Sequence, residues 1–189
     1  MDATEISEIS ERIESAELLD KPGPVIERAV EAMPEQTRKF LSGDWLGHPL
    51  HPLLTDLPIG FWTTSFVLDF LGRKRSARTS TAMVGLGVAT AVPTLAAGLV
   101  EYTKLPDKKR RAGVAHMAFN LLATWFYALS FIARLRGKRA SGVALGLLGA
   151  SAATAGGYLG GHLAFGSDEA EEASFIERPA ESLDLRVAI

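Results

Sequence analysis

The chain has 189 residues, of which 47% are hydrophobic and 22% are charged, and its formal net charge is −2. It contains no cysteine, which excludes disulfides, thiolate metal sites, cysteine-ligated iron–sulfur clusters and covalently attached c-type haem. The near-neutral charge also gives no indication of nucleic-acid binding. The charges are strongly segregated along the chain, and this segregation is typical of a membrane protein.

Residues 1–44 are predicted to form a polar, acidic N-terminal tail with short amphipathic helices. Its first isoleucines recur at helical spacing: Ile6, Ile9 and Ile13. The Lys-Pro-Gly-Pro run at 21–24 ends this helix, because two prolines and a glycine cannot continue it, and a second short helix is expected at 25–33. The tail lacks the basic and apolar regions of a signal peptide. We expect it to lie on the membrane surface rather than to dock specifically on the rest of the protein.

Four apolar segments follow, and they predict an all-α, four-helix transmembrane bundle over residues 45–166. The predicted spans are about 52–71, 79–100, 112–133 and 141–163. The last three contain no Asp, Glu, Lys or Arg, and each reaches the ~20 residues that cross a bilayer. The first is weaker, because Asp56 and Asp69 lie near its two ends. Buried helices of a soluble protein are the alternative, but they would leave too little polar surface to cover three such runs.

The connecting loops and the second tail bear on orientation. An even number of spans places both termini on the same side of the membrane. Lysine and arginine residues near the span ends are almost equally divided between the two faces, so the positive-inside rule does not decide the orientation. A long polar N-terminal tail without a signal peptide favours cytoplasmic termini. Residues 167–189 are acidic and predict a disordered C-terminal tail.

The fourth span is rich in glycine. Three small-xxx-small pairs overlap in it: Gly142 with Gly146, Gly156 with Gly160, and Gly157 with Gly161. Such pairs let helix backbones approach closely. They indicate either plain helix packing or room for a flat cofactor.

All four histidines of the chain fall on the face of the predicted bundle where the termini lie. His48 and His51 belong to a His-Pro-Leu-His-Pro run just before the first span, His116 lies near the start of the third span, and His162 ends the fourth. Imidazole is a common ligand of haem iron, zinc and copper. Taken singly, each histidine is an ordinary interfacial residue, but the set of four predicts a ligand cluster.

Three further polar residues are predicted at the same depth in the bundle. Asp56 lies one turn inside the first span and Glu101 ends the second, so either carboxylate is placed to accept the second imidazole N–H of a ligand. Asn120 follows His116 by one helical turn on the same face. An ionisable group within a membrane usually faces the bundle interior and marks a functional site. No serine elbow, phosphate-binding glycine loop or HExxH motif is visible.

Three hypotheses for the function follow. In the first, the bundle holds a redox cofactor, b-type haem, and passes electrons to a protein partner or a quinone. Its axial ligands would be His116 with either His51 or His162, and His48 would contact a propionate or relay protons. In the second, His51, His116 and His162 bind one zinc or copper ion. In the third, the protein is a structural membrane module whose histidines bind no ligand.

The motifs around these residues resemble a bacterial membrane-protein family known as domain of unknown function twenty-two thirty-one. The resemblance covers residues 45–166 and rests on five segments: Gly47–Pro52, Asp56–Gly60, Gly98–Tyr102, His116–Asn120 and Gly156–Leu163. It implies a multi-pass protein of the bacterial inner membrane. Some relatives are joined to a Rieske-type iron–sulfur domain, which implies a role in electron transfer, although the family has no established activity.

Overall fold

A computed structural model describes residues 10, 12–72 and 76–176. The first isoleucines of the predicted N-terminal helix and the final residues 177–189 lie outside this part. Six helices are labelled in chain order: α1 Gly23–Glu31, α2 Glu35–Ser42, α3 Leu50–Phe70, α4 Ala77–Tyr102, α5 Asp107–Leu135 and α6 Arg139–Ile176. Residues 12–15 are also helical, and short 3₁₀ turns lie at Glu17–Asp20 and Asp44–Leu46. The predicted all-helical class is confirmed over the described ranges, which contain no strand.

Three of the helices are long and apolar enough to cross a membrane. These segments are Ala77–Tyr102 in α4, Lys109–Leu135 in α5 and Arg139–Phe165 in α6. The first predicted span, α3, is not among them, because two aspartates, two prolines and several hydroxyl side chains lower its mean hydropathy. Length and composition therefore support three of the four predicted spans.

The long helices form two hairpins that pack against each other. The first hairpin joins α3 to α4 and the second joins α5 to α6; contacts within each hairpin are more extensive than contacts between them. The central core consists of Trp62, Val84, Ala91 and Tyr127, which come from both hairpins. The rings of Trp62 and Tyr127 stack in parallel with their centroids 4.0 Å apart.

The two hairpins repeat each other position by position. Residues of α3 face residues of α5 that lie 65 positions later in the chain, and three such facing pairs occur at successive depths. They are His51 with His116, Trp62 with Tyr127, and Asp69 with Arg134. Because equivalent residues of two parallel helices meet each other, an approximate two-fold relation along the bundle axis connects the hairpins.

Glycines of α4 and α6 follow the same relation with a shift of 62 positions. A Cβ atom on Gly87 would lie 2.2 Å from Nε1 of Trp62, and one on its counterpart Gly149 would lie 2.8 Å from Cδ2 of Tyr127. Each aromatic ring therefore rests on the backbone of its hairpin partner, where any side chain would displace it. Close contact, rather than open space, accounts for these two glycines.

The N-terminal segment docks on the bundle, which differs from the predicted surface tail. Ile26 of α1 is buried against Tyr102 of α4 and Val114 of α5. Asp20 accepts two hydrogen bonds of 2.7 Å from the guanidinium of Arg111, and Glu27 pairs with Arg110. The first two turns of α5 extend past the start of α3. Their apolar and basic side chains contact the amphipathic, acidic N-terminal segment.

The last helix is longer than predicted. The sequence indicated a span ending near residue 163 and a disordered tail from Ser167, but α6 continues to Ile176. Alanine and glutamate, which favour helix, fill residues 169–173, and the next proline is Pro179.

Candidate functional site

His51 lies in the first turn of α3 and reaches across to α4. The turn begins at Leu50, and Pro52 is accommodated there because the first backbone N–H groups of a helix have no intrahelical acceptor. Nδ1 of His51 lies 2.9 Å from the carbonyl oxygen of Thr94. Because a carbonyl only accepts hydrogen bonds, Nδ1 of His51 is the donor in this contact. The ring rests on Gly98, where a Cβ atom would lie 2.9 Å from its Cε1.

His116 has the equivalent environment in the second hairpin. Its Nδ1 lies 2.7 Å from the carbonyl oxygen of Gly156 and therefore carries the proton. Its ring rests on Gly160, where a Cβ atom would lie 2.8 Å from Cε1. The amide of Asn120 donates to the backbone carbonyl of His116 at 2.9 Å, and its nitrogen lies 3.2 Å from Nε2 of the same histidine.

The two imidazoles face each other between the hairpins. Their centroids are 6.0 Å apart and their planes are almost perpendicular, at 88°. Each is fixed through Nδ1 by a main-chain carbonyl of the neighbouring helix, which is one of the arrangements that orient metal-bound histidines. The site therefore presents two imidazoles from different helices, each anchored through Nδ1, and Nε2 of His116 is within hydrogen-bond distance of the Asn120 amide nitrogen.

The other two histidines lie elsewhere. His162 Nε2 lies 2.9 Å from a carboxylate oxygen of Glu14 in the docked N-terminal segment. His162 follows Gly160 by two residues, and two residues turn a side chain about 200° around a helix, so His162 points away from the face of α6 that contacts His116. His48 precedes α3 and lines an open groove of about 510 Å³ with Asp56 and the side chains Leu46, Pro49, Pro52 and Leu53. Within the described ranges, no three metal-ligating side chains converge, so the predicted set of His51, His116 and His162 is not assembled.

The predicted carboxylate partners of the imidazoles are also placed differently. Asp56 is exposed in the groove with His48, and Glu101 lies 3.9 Å from the ammonium group of Lys104. Backbone carbonyls of Thr94 and Gly156 take the role that was expected of these side chains. Sequence reasoning missed them because a carbonyl group leaves no signature in residue type.

The opposite end of the bundle carries a buried ion pair that sequence reasoning also missed. Asp69 and Arg134 meet at 2.5 Å, with only 4% and 3% of their side chains exposed. Asp69 also accepts hydrogen bonds from Ser80 at 2.6 Å and from Arg139 at 3.0 Å. The 18 residues from His51 to Asp69 span about 27 Å of helix, close to the ~30 Å thickness of a bilayer's hydrocarbon core. The imidazole pair and the ion pair thus lie about one membrane thickness apart.

An internal sequence repeat was the available signal for both pairs. Ser65-Phe66-Val67 of α3 recurs as Ser130-Phe131-Ile132 of α5, 65 positions later. The Leu-Gly pair at 86–87 of α4 recurs at 148–149 of α6, with the shift of 62 that also relates Gly98 to Gly160. Aligning the two halves in this way places His51 on His116 and Asp69 on Arg134.

Comparison with known proteins gives a family but no characterised relative. No curated protein and no solved structure matches the chain. A family model described as "Predicted membrane protein (DUF2231)" matches residues 47–168, which include the first hairpin, most of the second and all four histidines. The protein therefore belongs to this family of predicted membrane proteins of unknown function.

Proposed function

We propose that the protein is a four-span membrane protein that holds one metal centre between His51 and His116, near one face of the bilayer. The observation that carries this proposal is the pair of facing imidazoles, each fixed through Nδ1 by a carbonyl of a neighbouring helix. Ionisable side chains within a membrane are rare and usually functional. A pair of them at equivalent positions of two hairpins is the strongest such feature of the site.

The internal repeat supports α3 as the fourth span. Its counterpart α5 has the length and composition to cross a membrane, and the two helices face each other at the same depths. Asp69, one of the residues that lower the hydropathy of α3, pairs with Arg134 inside the bundle. Its charge is therefore compensated by protein and need not contact lipid.

This topology is testable with reporter fusions. Fusions at Met1 and at Ile189 should report the same side of the membrane, and a fusion at Gly72 between α3 and α4 should report the other side. If the two termini report opposite sides, α3 does not cross and the imidazole pair would not lie at a membrane face as proposed.

The separation of the rings supports one shared metal ion. Metal–imidazole bonds are about 2.0–2.1 Å long, so an ion coordinated in line by two Nε2 atoms would separate the ring centroids by about 6.4 Å. The observed centroid separation of 6.0 Å is close to this value. Copper and zinc both accept imidazole ligands.

A haem b iron is the second candidate, because it takes two axial imidazoles in the same in-line geometry. Haem is favoured by the origin of His51 and His116 in different hairpins and by the angle of 88° between their ring planes. A bare ion is better supported, since the rings of His51 and His116 already cover Gly98 and Gly160, where a flat cofactor was expected to find room. In either form, a redox-active centre here would exchange electrons with a quinone or with a protein such as a Rieske-type partner.

Spectra and metal content of the purified protein test the proposal. The full chain should be isolated from membranes after expression with copper, zinc and haem precursor supplied, and its absorption spectrum and metal content measured. We expect one metal per chain, with no Soret band for a bare ion and a Soret band for haem. His51→Ala and His116→Ala should remove the metal, and His48→Ala should retain it as the matched control. Wild-type protein without metal or haem would contradict the proposal and leave a structural membrane module.

A further inference from the structure

We infer that the stacked rings of Phe40 and Trp45 insert among the phospholipids at the surface of the bilayer and anchor the start of α3 there. The partner of this surface is the boundary between the lipid headgroups and the acyl chains. Such an anchor requires no metal at His51 and His116, so it goes beyond the proposed function. Four features of the region support it: exposure, hydrogen bonding, rigidity and depth.

Two large aromatic side chains are exposed just before α3. Phe40 in α2 and Trp45 in the second 3₁₀ turn leave 58% and 60% of their surface uncovered. Their rings stack in parallel, with centroids 5.6 Å apart and planes 8° apart. Water is a poor solvent for such apolar surface, and exposed apolar patches commonly mark contacts with another molecule or with a membrane.

The polar atom of Trp45 already has a partner within the protein. Nε1 donates a hydrogen bond of 3.0 Å to the backbone carbonyl of Phe40. Burying an N–H group without an acceptor costs free energy, and this bond removes that cost. In contact with water the bond would not be needed, because water supplies acceptors. The stacked pair is therefore suited to an apolar environment.

The backbone holds the pair in a fixed orientation. Gly43 ends α2 and Gly47 ends the 3₁₀ turn, with positive φ angles of 79° and 75° that favour glycine. A Cβ atom on Gly43 would lie 2.1 Å from a backbone carbonyl oxygen, so the chain is closely packed there. The hydroxyl of Ser42 accepts a hydrogen bond of 3.3 Å from the backbone N–H of Asp44. Rings presented by such a rigid turn lose little conformational entropy on insertion.

A contact with the end of α4 places the pair at the membrane surface. The 26 residues of α4 are apolar enough to cross a membrane and extend about 39 Å, more than the ~30 Å of the hydrocarbon core. Lys104 follows the last residue of α4 by two positions, and its ammonium group lies 3.4 Å from a carboxylate oxygen of Asp44. Trp45 therefore lies at headgroup level, where tryptophan is enriched in membrane proteins.

The exposed apolar surface continues from the pair along α3. Leu46, the neighbour of Trp45, lines a groove together with Leu53 in the first turns of α3. Leu53 and Leu57 are both exposed and lie one helical turn apart, on the same face of α3. An apolar strip that begins at headgroup level and follows a helix proposed to cross the membrane is a surface that lipid can cover without interruption.

Quenching of tryptophan fluorescence by brominated lipid tests the depth of Trp45 in the full-length protein. The double variant Trp62→Phe, Trp125→Phe keeps Trp45 as the only tryptophan of the chain. It is reconstituted into phosphatidylcholine vesicles whose acyl chains carry bromine either near the headgroup or near the bilayer centre. We expect Trp45 to lose more emission with bromine near the headgroup, and to be protected from iodide in the aqueous phase.

Trp125 provides the matched control. It is 63% exposed and lies near the middle of the apolar segment Lys109–Leu135, so in the variant Trp45→Phe, Trp62→Phe it should be quenched more by bromine near the bilayer centre. If Trp62→Phe prevents folding because it disturbs the stack with Tyr127, the difference between wild type and Trp45→Phe measures the same quenching with the core intact.

Three outcomes would overturn the anchor. Quenching of Trp45 by iodide but not by bromine would show that the pair faces water. Protection from both quenchers would show that protein covers it, such as a second copy of the chain. Stronger quenching by bromine near the bilayer centre would place the pair within the hydrocarbon core. Metal content decides the proposed function separately, so either proposal can fail alone.

Discussion

The two ends of the bundle differ in the kind of residue pair that joins α3 to α5. At each end, equivalent residues of α3 and α5 meet across the approximate two-fold relation: His51 with His116 at one end, Asp69 with Arg134 at the other. The aspartate and the arginine satisfy each other and are further bonded by Ser80 and Arg139. The two imidazoles are of the same kind, and each is bonded through Nδ1 to a backbone carbonyl of a neighbouring helix. The ion pair balances its charge within the protein, whereas the histidine pair is the place where we propose a bound metal.

The largest effect on stability is expected at the ion-pair end. Asp69→Asn leaves the charge of Arg134 buried without its carboxylate, and removing one partner of such a pair typically costs about 3–5 kcal/mol. The free energy of unfolding can be measured by chemical denaturation in detergent. Asp107→Asn is the matched control, because this side chain is 97% exposed and its contact with Arg110 contributes only about 0–1 kcal/mol. Equal effects of the two substitutions would show that the ion pair does not hold the hairpins together.

A smaller effect on stability, with loss of metal, is expected at the histidine end. Gly160→Ala would place a methyl group 2.8 Å from Cε1 of His116, and such overpacking costs about 1–3 kcal/mol and displaces the ring. Gly161→Ala is the matched control, since nothing lies within 4 Å of a Cβ atom at that position. Metal content and unfolding should be measured for both variants. A Gly160→Ala protein with wild-type metal content would show that the position of this ring does not determine binding.

Removal of the docked N-terminal segment should lower stability moderately without preventing membrane insertion. Deleting residues 1–33 exposes the surface around Tyr102 and Val114 that Ile26 covers, and burial of one such side chain contributes about 1.5–3 kcal/mol. Insertion depends on the apolar helices, which the deletion leaves intact. Thermal unfolding and membrane fractionation measure the two properties separately. An unchanged melting temperature would show that the segment does not contribute to the bundle.

The smallest effect concerns pH and the docking of that segment. Hydrogen bonds from Arg111 lower the pKa of Asp20 below its ordinary value of 3.8. Because the folded-state pKa is lowered, this contribution to docking is complete above pH 3.8 and is lost as the pH falls through the folded-state pKa. The chain has no cysteine, so a spin label on Val25→Cys is unique and reports the mobility of α1. The mobility of the spin label should rise as the pH falls. If the Asp20→Asn variant shows the same pH-dependent rise, a group other than Asp20 causes it.

The sequence predicted the helices better than it predicted their contacts. Long uncharged runs identify α4, α5 and α6 because lipid and core both exclude charge, and their helical class is confirmed. Depth alone also placed His51 and His116 at one level. Depth could not separate these two histidines from His162, because the direction in which each side chain points around its helix depends on how the helices pack. Asp69 also made α3 look less like a membrane span, because its charge is compensated by a partner that sequence reading did not identify. That partner, Arg134, lies 65 positions away, and the internal repeat is the sequence feature that relates the two positions.

The ion pair between the hairpins also bears on misassembly. A hairpin of one chain could pair with the same hairpin of a second chain, since the two hairpins are so much alike. Two first hairpins would then bury Asp69 against Asp69, and two second hairpins would bury Arg134 against Arg134, and like charges so placed strongly disfavour association. The histidine end would permit a pair of two first hairpins or a pair of two second hairpins, because two imidazoles would face each other in both cases. Asp69 and Arg134 therefore select the pairing of unlike hairpins and act against domain-swapped pairs of identical ones.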